Sequence, residues 1–287
     1  KHDKTTIYVG SQIPYQDRDQ AATALGVAPE SVRVVATLTG GGFGGKEDIT
    51  GQIHVALLAE ATQRPVKMLY SRQESLLVHP KRHATVIRMR TGATKDGKLS
   101  AVEATLYGDG GAYASLSEKV LTRATTHASG PYHVPHVKVD CFAAYTNNAP
   151  CGAFRGFGVS QSCFAVESNM DTLAEALGMD PVELRRINAL DVGSVTATGQ
   201  ELRESVGLKE CIERVNGDMR DEDFQWAWLD GHLSYAWGVG VGYKNTGLGG
   251  GAPDAAGAQV QLGLDGNGEV WAQVRTASAE MGQGLPG

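Results

Sequence analysis

The sequence predicts an α+β fold, with mixed sheets, long β-hairpins and packed helices. Three observations carry this. Residues 83–113 and 256–277 alternate apolar and polar side chains on either side of a turn, Asp96-Gly97 in the first and Asp265–Gly268 in the second. That is the pattern of a hairpin. Unbroken apolar runs such as VRVVAT (Val32–Thr37) read as buried strands. Between the strands lie segments with apolar residues every three to four positions, two of them stopped by glycine, which is the helical period and its usual end.

The elements follow in order. TTIYVGSQ at 5–12 is a strand, and Asp17–Val27 is a helix that Gly26 can stop. After the strand at 32–37 comes the glycine-rich run 40–45, then a helix over Ile49–Gln63 with Ile49, Ile53, Ala56, Leu57 and Ala61 on one face. Pro65–Ser75 is strand-like, and the first hairpin follows at 83–113. Val134–Asn148 is a long strand, and Ser168–Met179 an amphipathic helix ending at Gly178. Asp180 as N-cap and Pro181 as first helical residue open another helix. A polar, irregular connector at 191–205 precedes a helix over Gly207–Val215 and the second hairpin. The shift in composition at the connector predicts two domains, 1–195 and 196–287. Both ends read as cut from a longer polypeptide: the chain opens on Lys1 and stops just after EMGQG.

Composition narrows the function. A net charge of −6 without a block of like charge argues against nucleic acid as a partner. No run is long and apolar enough to span a bilayer, and the N-terminus has no signal-peptide pattern, so a membrane is not expected. The four cysteines form no C-x-x-C, which leaves zinc and iron–sulfur sites unsupported and suggests free thiols in the cytoplasm. His79 and His83 have helical ligand spacing, but Pro80 between them opposes a metal-binding helix. Glycine is the outlier. Its 37 residues cluster at 40–45, 108–111, 152–158, 238–251 and 282–287, where the usual share is ~7%. Several separated glycine loops suggest backbone closing on one large ligand.

The run GGGFGGKED (Gly40–Asp48) fits two nucleotide patterns in part. Gly40 through Lys46 match the first seven positions of a P-loop, but Glu47 stands where a magnesium-holding hydroxyl belongs. A dinucleotide site wants an acidic residue after the next strand, and that run reaches Ser71-Arg72 instead. A strand–turn–helix context still favours an anion or electronegative cofactor near the helix start.

Taken with APCGAFRGFGVSQ (Ala149–Gln161) and EMGQG (Glu280–Gly284), the glycine run resembles the molybdenum-binding subunit of the xanthine dehydrogenase and aldehyde oxidase family, the molybdenum hydroxylases. The segments LAEATQRPVKMLYSRQES, KRH (Lys81–His83), GDGGAY and ALGMDPVELRRINAL carry the same likeness, which covers nearly the whole chain. The resemblance implies molybdopterin-binding domains truncated at both ends, with molybdopterin in its cytosine dinucleotide form. The molybdenum is then held through the pterin, with no direct protein ligand. It implies [2Fe-2S] and FAD centres on partner domains or subunits, and a further C-terminal part of the molybdenum subunit.

By position, the resemblance assigns Gln12 to the metal's apical oxygen. It assigns Gly42, Phe43 and Gly44 to the loop beside the metal, Ala153, Phe154 and Arg155 to the pterin end, and Gly282 and Gln283 to the cofactor. On the substrate side it assigns Glu47, Arg123 and Phe157: a hydrogen-bonding carboxyl, a cation and a stacking ring. A fixed cation suits attack on an electron-poor ring carbon, because negative charge then builds up on the heterocycle. The implied substrate is an N-heterocycle, a purine first, with aldehydes or a nicotinate-type ring as alternatives and a non-catalytic cofactor-binding fragment as a third. The family's base glutamate belongs to a later motif, so the isolated chain is expected to be silent and to retain molybdenum poorly. Three departures accompany the likeness. Val159-Ser160 stands where the family often has Gly-Pro, TASAEMGQG lacks glycines before its Glu, and no second stacking aromatic is evident in GLGGGAPDAAGA.

Overall fold

The computed structural model describes residues 4–220, 238–247 and 255–285. The stretch GLGGGAPDAAGA lies mostly outside the described residues, as do parts of the glycine clusters 238–251 and 282–287.

The first unit is a βαβ arrangement. Strand β1 (Thr5–Val9) pairs in parallel with β2 (Val32–Ala36), and helix α1 (Pro14–Leu25) connects them. Pro14 starts α1 where its missing N–H costs nothing, and Gly26 ends it in the left-handed conformation at φ 69°. Ile7, Val32, Ala21 and Ala22 form the core here with Ala56 of helix α2 (Gln52–Thr62). The expected helix over 49–63 thus starts three residues late. Of its predicted stripe only Ala56 is buried, and Leu57 is exposed. Gln52 folds back so that its Oε1 accepts from the Thr50 and Gly51 amides, both at 2.9 Å, which fixes this start.

Asp17 on α1 is fully buried beside Ser11 and Gln52, and neither carboxylate oxygen has a well-formed hydrogen bond among the described residues. Burial raises its pKa, with Ser11 and Gln52 opposing. A carboxyl raised in the folded state keeps its proton after the unfolded chain has lost its own at about pH 3.9. The native state then binds more protons, so stability falls as pH rises through that window. Asp17→Asn removes this titration. Its stability relative to wild type, measured by urea unfolding at several pH values, should rise with pH from about 3.9 and level off above the folded pKa. A difference that stays flat with pH would show that Asp17 does not titrate in this way.

The strand expected at 65–75 does not form. Residues 65–70 run without strand pairing, and Arg72–Val78 is a helix, α3. Ser71 Oγ accepts from Glu74 N at 3.2 Å while Glu74 Oε2 accepts from Ser71 N at 2.8 Å. This capping box, S-x-x-E, is a local start signal stronger than the apolar run before it.

The second sheet has the order β3–β4–β5. Strands β3 (Thr85–Ala93) and β4 (Leu99–Gly111) form the expected hairpin around Gly97. Strand β5 (His136–Tyr145) lies parallel to β4, which requires a crossover. Helix α4 (Ser117–Thr126) supplies it. The β-branched residues of SEKVLTRATT obscure this helix in the sequence, but packing of Val120, Leu121 and Ala124 makes it. Ala104, Leu106, Ala124 and Ala128 join sheet to helix.

Helix α5 (Val159–Leu177) starts well before the expected Ser168 and ends at Gly178 as expected. Helix α6 (Pro181–Asn188) is capped by Asp180 Oδ1, which accepts from Val182 N at 2.8 Å and Glu183 N at 3.0 Å. Leu99, Tyr132, Val166, Met170, Ala174 and Leu184 form the largest core cluster. Helix α7 (Leu208–Arg220) is longer than the expected 207–215. Strands β6 (Ala258–Leu264) and β7 (Val270–Thr276) form the second hairpin, its turn built on Asp265 Oδ1, and nearly all its residues are exposed.

Candidate functional site

Parallel pairing decides which loops meet. β1 and β2 leave their sheet at the same edge, so Gly10–Gln12 and the glycine loop after β2 emerge side by side. Open α/β sheets place ligands outside the carboxyl ends of their strands for this reason. Gln12 N donates to Lys46 O at 2.9 Å. Its side-chain Oε1 accepts from Gly44 N at 3.0 Å and Lys46 N at 3.2 Å, and Nε2 donates to Glu47 Oε1 at 3.1 Å. The two amide donors force the oxygen toward the loop and the nitrogen toward Glu47. Lys46 turns away and donates from Nζ to Gly41 O at 2.9 Å.

The glycine loop is not a helix N-terminus. The first residue of α2 is Gln52, and the Gly44 and Lys46 amides are already taken by Gln12. An anion cradle of the P-loop kind is therefore absent here. The glycines serve close approach. A Cβ on Gly42 would overlap the Gln12 side chain, and one on Gly44 would meet Ala153 C and Phe154 N at 3.0 Å. A Cβ on Gly282 would meet Gly40 C at 3.0 Å and Thr39 O at 3.1 Å. The three glycine motifs at 40–45, 152–158 and 282–284 therefore pack backbone against backbone.

β4 and β5 repeat the arrangement. Their parallel ends feed the turn before α4 and the loop 146–157 at one edge of their sheet. Gly158 lies against Val120 O and Ala124 N of α4, where no Cβ fits. Arg123 then stands 5.5 Å from the Phe157 ring centroid, and Arg155 stands 5.4 Å from that of Phe43. Arg123 Nη2 also reaches Gly247 O at 3.5 Å. Phe43 and Phe157 both hold positive φ, 51° and 48°, a conformation bulky residues adopt only where the surroundings impose it. Ala153 is buried, while Phe154 is half-exposed and lies 4.7 Å beneath Arg82, whose Nη2 donates to Arg155 O at 2.6 Å.

Glu47 is part-buried. Burial raises its pKa first and the neighbouring Asp48 charge adds to this, while Gln12 and Lys119 oppose. Lys119 lies four residues before Arg123 on α4, so the two cations share one face. No sequence motif assigns a role to Lys119 or Asp48, and Arg82 enters only within the KRH segment of the family likeness. The i, i+4 spacing of Lys119 and Arg123 means proximity only on a helix, and α4 provides one. The Gln283 side chain bonds within its own turn, although its neighbour Gly282 packs against the glycine loop. Its Oε1 accepts from Met281 N at 2.6 Å and its Nε2 donates to Ala279 O at 2.9 Å, so the side chain serves its own turn.

Residues 1–189 match the molybdopterin cofactor-binding domain family. The chain belongs to the molybdopterin-binding large subunits of the molybdenum hydroxylases. It is 51% identical over 210 residues to the nicotinate dehydrogenase large molybdopterin subunit of Eubacterium barkeri, covering 73% of this chain and 49% of that protein. It is 35% identical over 270 residues to a probable xanthine dehydrogenase subunit of Bacillus subtilis, covering 91% of this chain and 35% of that protein. The aldehyde oxidoreductase of Desulfovibrio gigas superposes with a TM-score of 0.72 at 34% identity, over 75% of this chain and 24% of that one. The chain thus spans half or less of the length of these relatives. Its α+β fold is that of their molybdopterin-binding domains. Among the described residues, no helix is long and apolar enough to cross a membrane.

The residues present fit the family's cofactor. Arg82 and Arg155 stand over the rings of Phe154 and Phe43 beside the glycine motifs, the cationic and aromatic chemistry that a large flat anionic group requires.

Proposed function

We propose that this chain forms part of a molybdenum hydroxylase that oxidatively hydroxylates an electron-poor N-heterocycle bearing an anionic group, with a nicotinate-type ring as the first candidate. The observation that carries this is the cationic face of α4, Lys119 and Arg123 one turn apart, with Arg123 at the Phe157 ring and Lys119 in the field of Glu47. A ring that stacks and carries a carboxylate suits an aromatic face flanked by cations. The 51% identity to a nicotinate dehydrogenase subunit supports the same class. A purine is the second candidate, favoured by the Glu47 and Arg123 combination and by relatives named xanthine dehydrogenase at 35% identity.

Molybdopterin would lie against Gly42–Gly44, Ala153–Arg155 and the Gly282 turn, with Gln12 at the metal's oxygen. When bound, its molybdenum supplies the two-electron acceptor and an oxygen derived from water. Gln12, clamped through both ends of its amide, keeps a second Nε2–H beyond the Glu47 bond as a donor toward an oxygen of the cofactor. Phe157 stacks the ring, Arg123 stabilises charge that develops on it, and Glu47 hydrogen-bonds a ring nitrogen or carbonyl. The cytosine dinucleotide form, the [2Fe-2S] and FAD partners that remove the electrons, and the cytoplasmic location belong to this proposal. So does the division into 1–195 and 196–287, supported by the family match ending at residue 189.

The test is kcat/KM for nicotinate, hypoxanthine, xanthine and benzaldehyde in the complete enzyme carrying this chain. Benzaldehyde exceeding every ring substrate would overturn the heterocycle proposal. Glu47→Gln keeps size and a donor but cannot titrate. It should shift the preference among the ring substrates and remove the part of the kcat/KM pH profile that falls as Glu47 loses its proton. An unchanged profile would mean that Glu47 stays out of substrate contact.

A further inference from the structure

Glu47 has an anchor on one side, Gln12. Its other neighbour, Asp48, sits where three separate segments meet. Asp48 Oδ1 accepts from Ser115 Oγ. Asp48 Oδ2 is buried, with no hydrogen-bond partner among the described residues. The space it occupies exists because residue 152 is glycine: a Cβ there would overlap the Asp48 carboxylate and come within 3.0 Å of Ser115 Oγ. Gly152 is itself fixed, its N donating to Lys81 O at 3.0 Å. Ser115 closes a run of three consecutive non-glycine residues in the left-handed region, Tyr113, Ala114 and Ser115, at φ 64°, 58° and 40°. L-residues adopt that conformation at a cost, so something outside the run must hold it. Tyr113 is 90% exposed and packs little of its own surface. The hydrogen bond from Ser115 to Asp48 ties this run to the segment just after the glycine loop, 67 residues away.

We propose that Asp48, Ser115 and Gly152 form a clasp that positions Glu47. The Gln12 amide fixes the backbone just before Glu47, and the clasp fixes it just after. Glu47 is then held between two anchors, at a set place relative to Lys119 and the 153–155 loop. Asp48 is a positioning residue and touches no substrate. This role rests on the proposed substrate-side place of Glu47 for its kinetic consequence, but not for its structural one.

The test uses the complete enzyme and two readouts. The first is amide hydrogen exchange, which needs no turnover. Ser115→Ala and Asp48→Ala should speed exchange at 45–49 and 113–116 by about tenfold or more, and leave α1 unchanged. Ser115 is exposed, so Ser115→Ala tests the clasp even if Asp48→Ala fails to fold. The second readout is kcat/KM. Both variants should lose about tenfold for the ring substrates and less than about twofold for benzaldehyde, because misplacement matters only where Glu47 contacts the ring. Asp48→Asn and Ser115→Thr keep the hydrogen bond and should restore both readouts. Unchanged exchange in Ser115→Ala overturns the clasp. So does an Asp48→Asn variant as impaired as Asp48→Ala with slow exchange, because the role would then belong to the charge. If no heterocycle is hydroxylated at all, the proposed function fails, while the exchange data still decide the clasp.

Discussion

Arg123→Met is expected to lower turnover of ring substrates by about 10²–10³, the cost of removing one positioned charge-stabilising group, or about 3–4 kcal/mol. For the purines the loss should fall on kcat more than on KM, because negative charge on the ring develops only as the transition state forms, whereas for nicotinate, whose carboxylate is charged before reaction, KM should rise as well. Methionine preserves much of the arginine stem, so packing against Phe157 is perturbed less than the charge. Benzaldehyde, with no heterocyclic nitrogen to receive charge, should be nearly spared. Arg123 also makes structural contacts, over the Phe157 ring at 5.5 Å and to Gly247 O at 3.5 Å. Steady-state kinetics across nicotinate, hypoxanthine, xanthine and benzaldehyde separates the two roles. An equal loss for all four substrates would make Arg123 structural and remove the main support for a heterocycle.

The largest stability effect is expected at Arg185. Its side chain is fully buried, with Nε donating to Glu167 Oε2 at 2.8 Å, Nη2 to Glu167 O at 3.1 Å and Nη1 to Asp171 Oδ1 at 2.8 Å. Glu167 is 11% exposed and also accepts from Tyr132 Oη at 2.6 Å and Val241 N at 2.9 Å. The network ties α5, α6, the 132 segment and residue 241 together. Arg185→Met leaves Glu167 a buried charge without its cation and should cost about 3–5 kcal/mol. The double variant Glu167→Gln/Arg185→Met leaves no unpaired buried charge, since Asp171 is exposed to solvent, and should cost less than Arg185→Met alone. Urea unfolding of wild type, both single variants and the double gives the coupling directly. Strictly additive losses would mean that the buried pair is not a unit.

How far the sequence reaches depends on the range over which each feature is encoded. The start of helix α6 is legible to the residue because Asp180 and Pro181 act within one turn. The hairpin β3–β4 was legible because alternation and an Asp-Gly turn are both local. The segment 65–75 carries two competing local signals, an apolar run that suggests a strand and the Ser71–Glu74 box that starts a helix, and the box prevails. Helix α4 went unseen because its own residues favour a helix weakly, and burial of Val120, Leu121 and Ala124 supplies the rest.

The candidate site divides in the same way. The sequence by itself determined which residues are available: stripped glycine loops, a lone Gln12 after a strand, Glu47 in place of a hydroxyl, and Arg123 and Phe157 in their motifs. It also determined the family, because several motifs in one order are specific where each alone is weak. Only the tertiary structure decided what each residue touches. Gly42 is bare because Gln12, thirty residues earlier, fills its place. Gln283 serves its own turn, and Lys119 joins the site without any motif of its own. The physical reason is that these contacts follow from two parallel strand pairs, β1–β2 and β4–β5, whose paired ends bring distant loops to one edge. No local periodicity records which strands will pair.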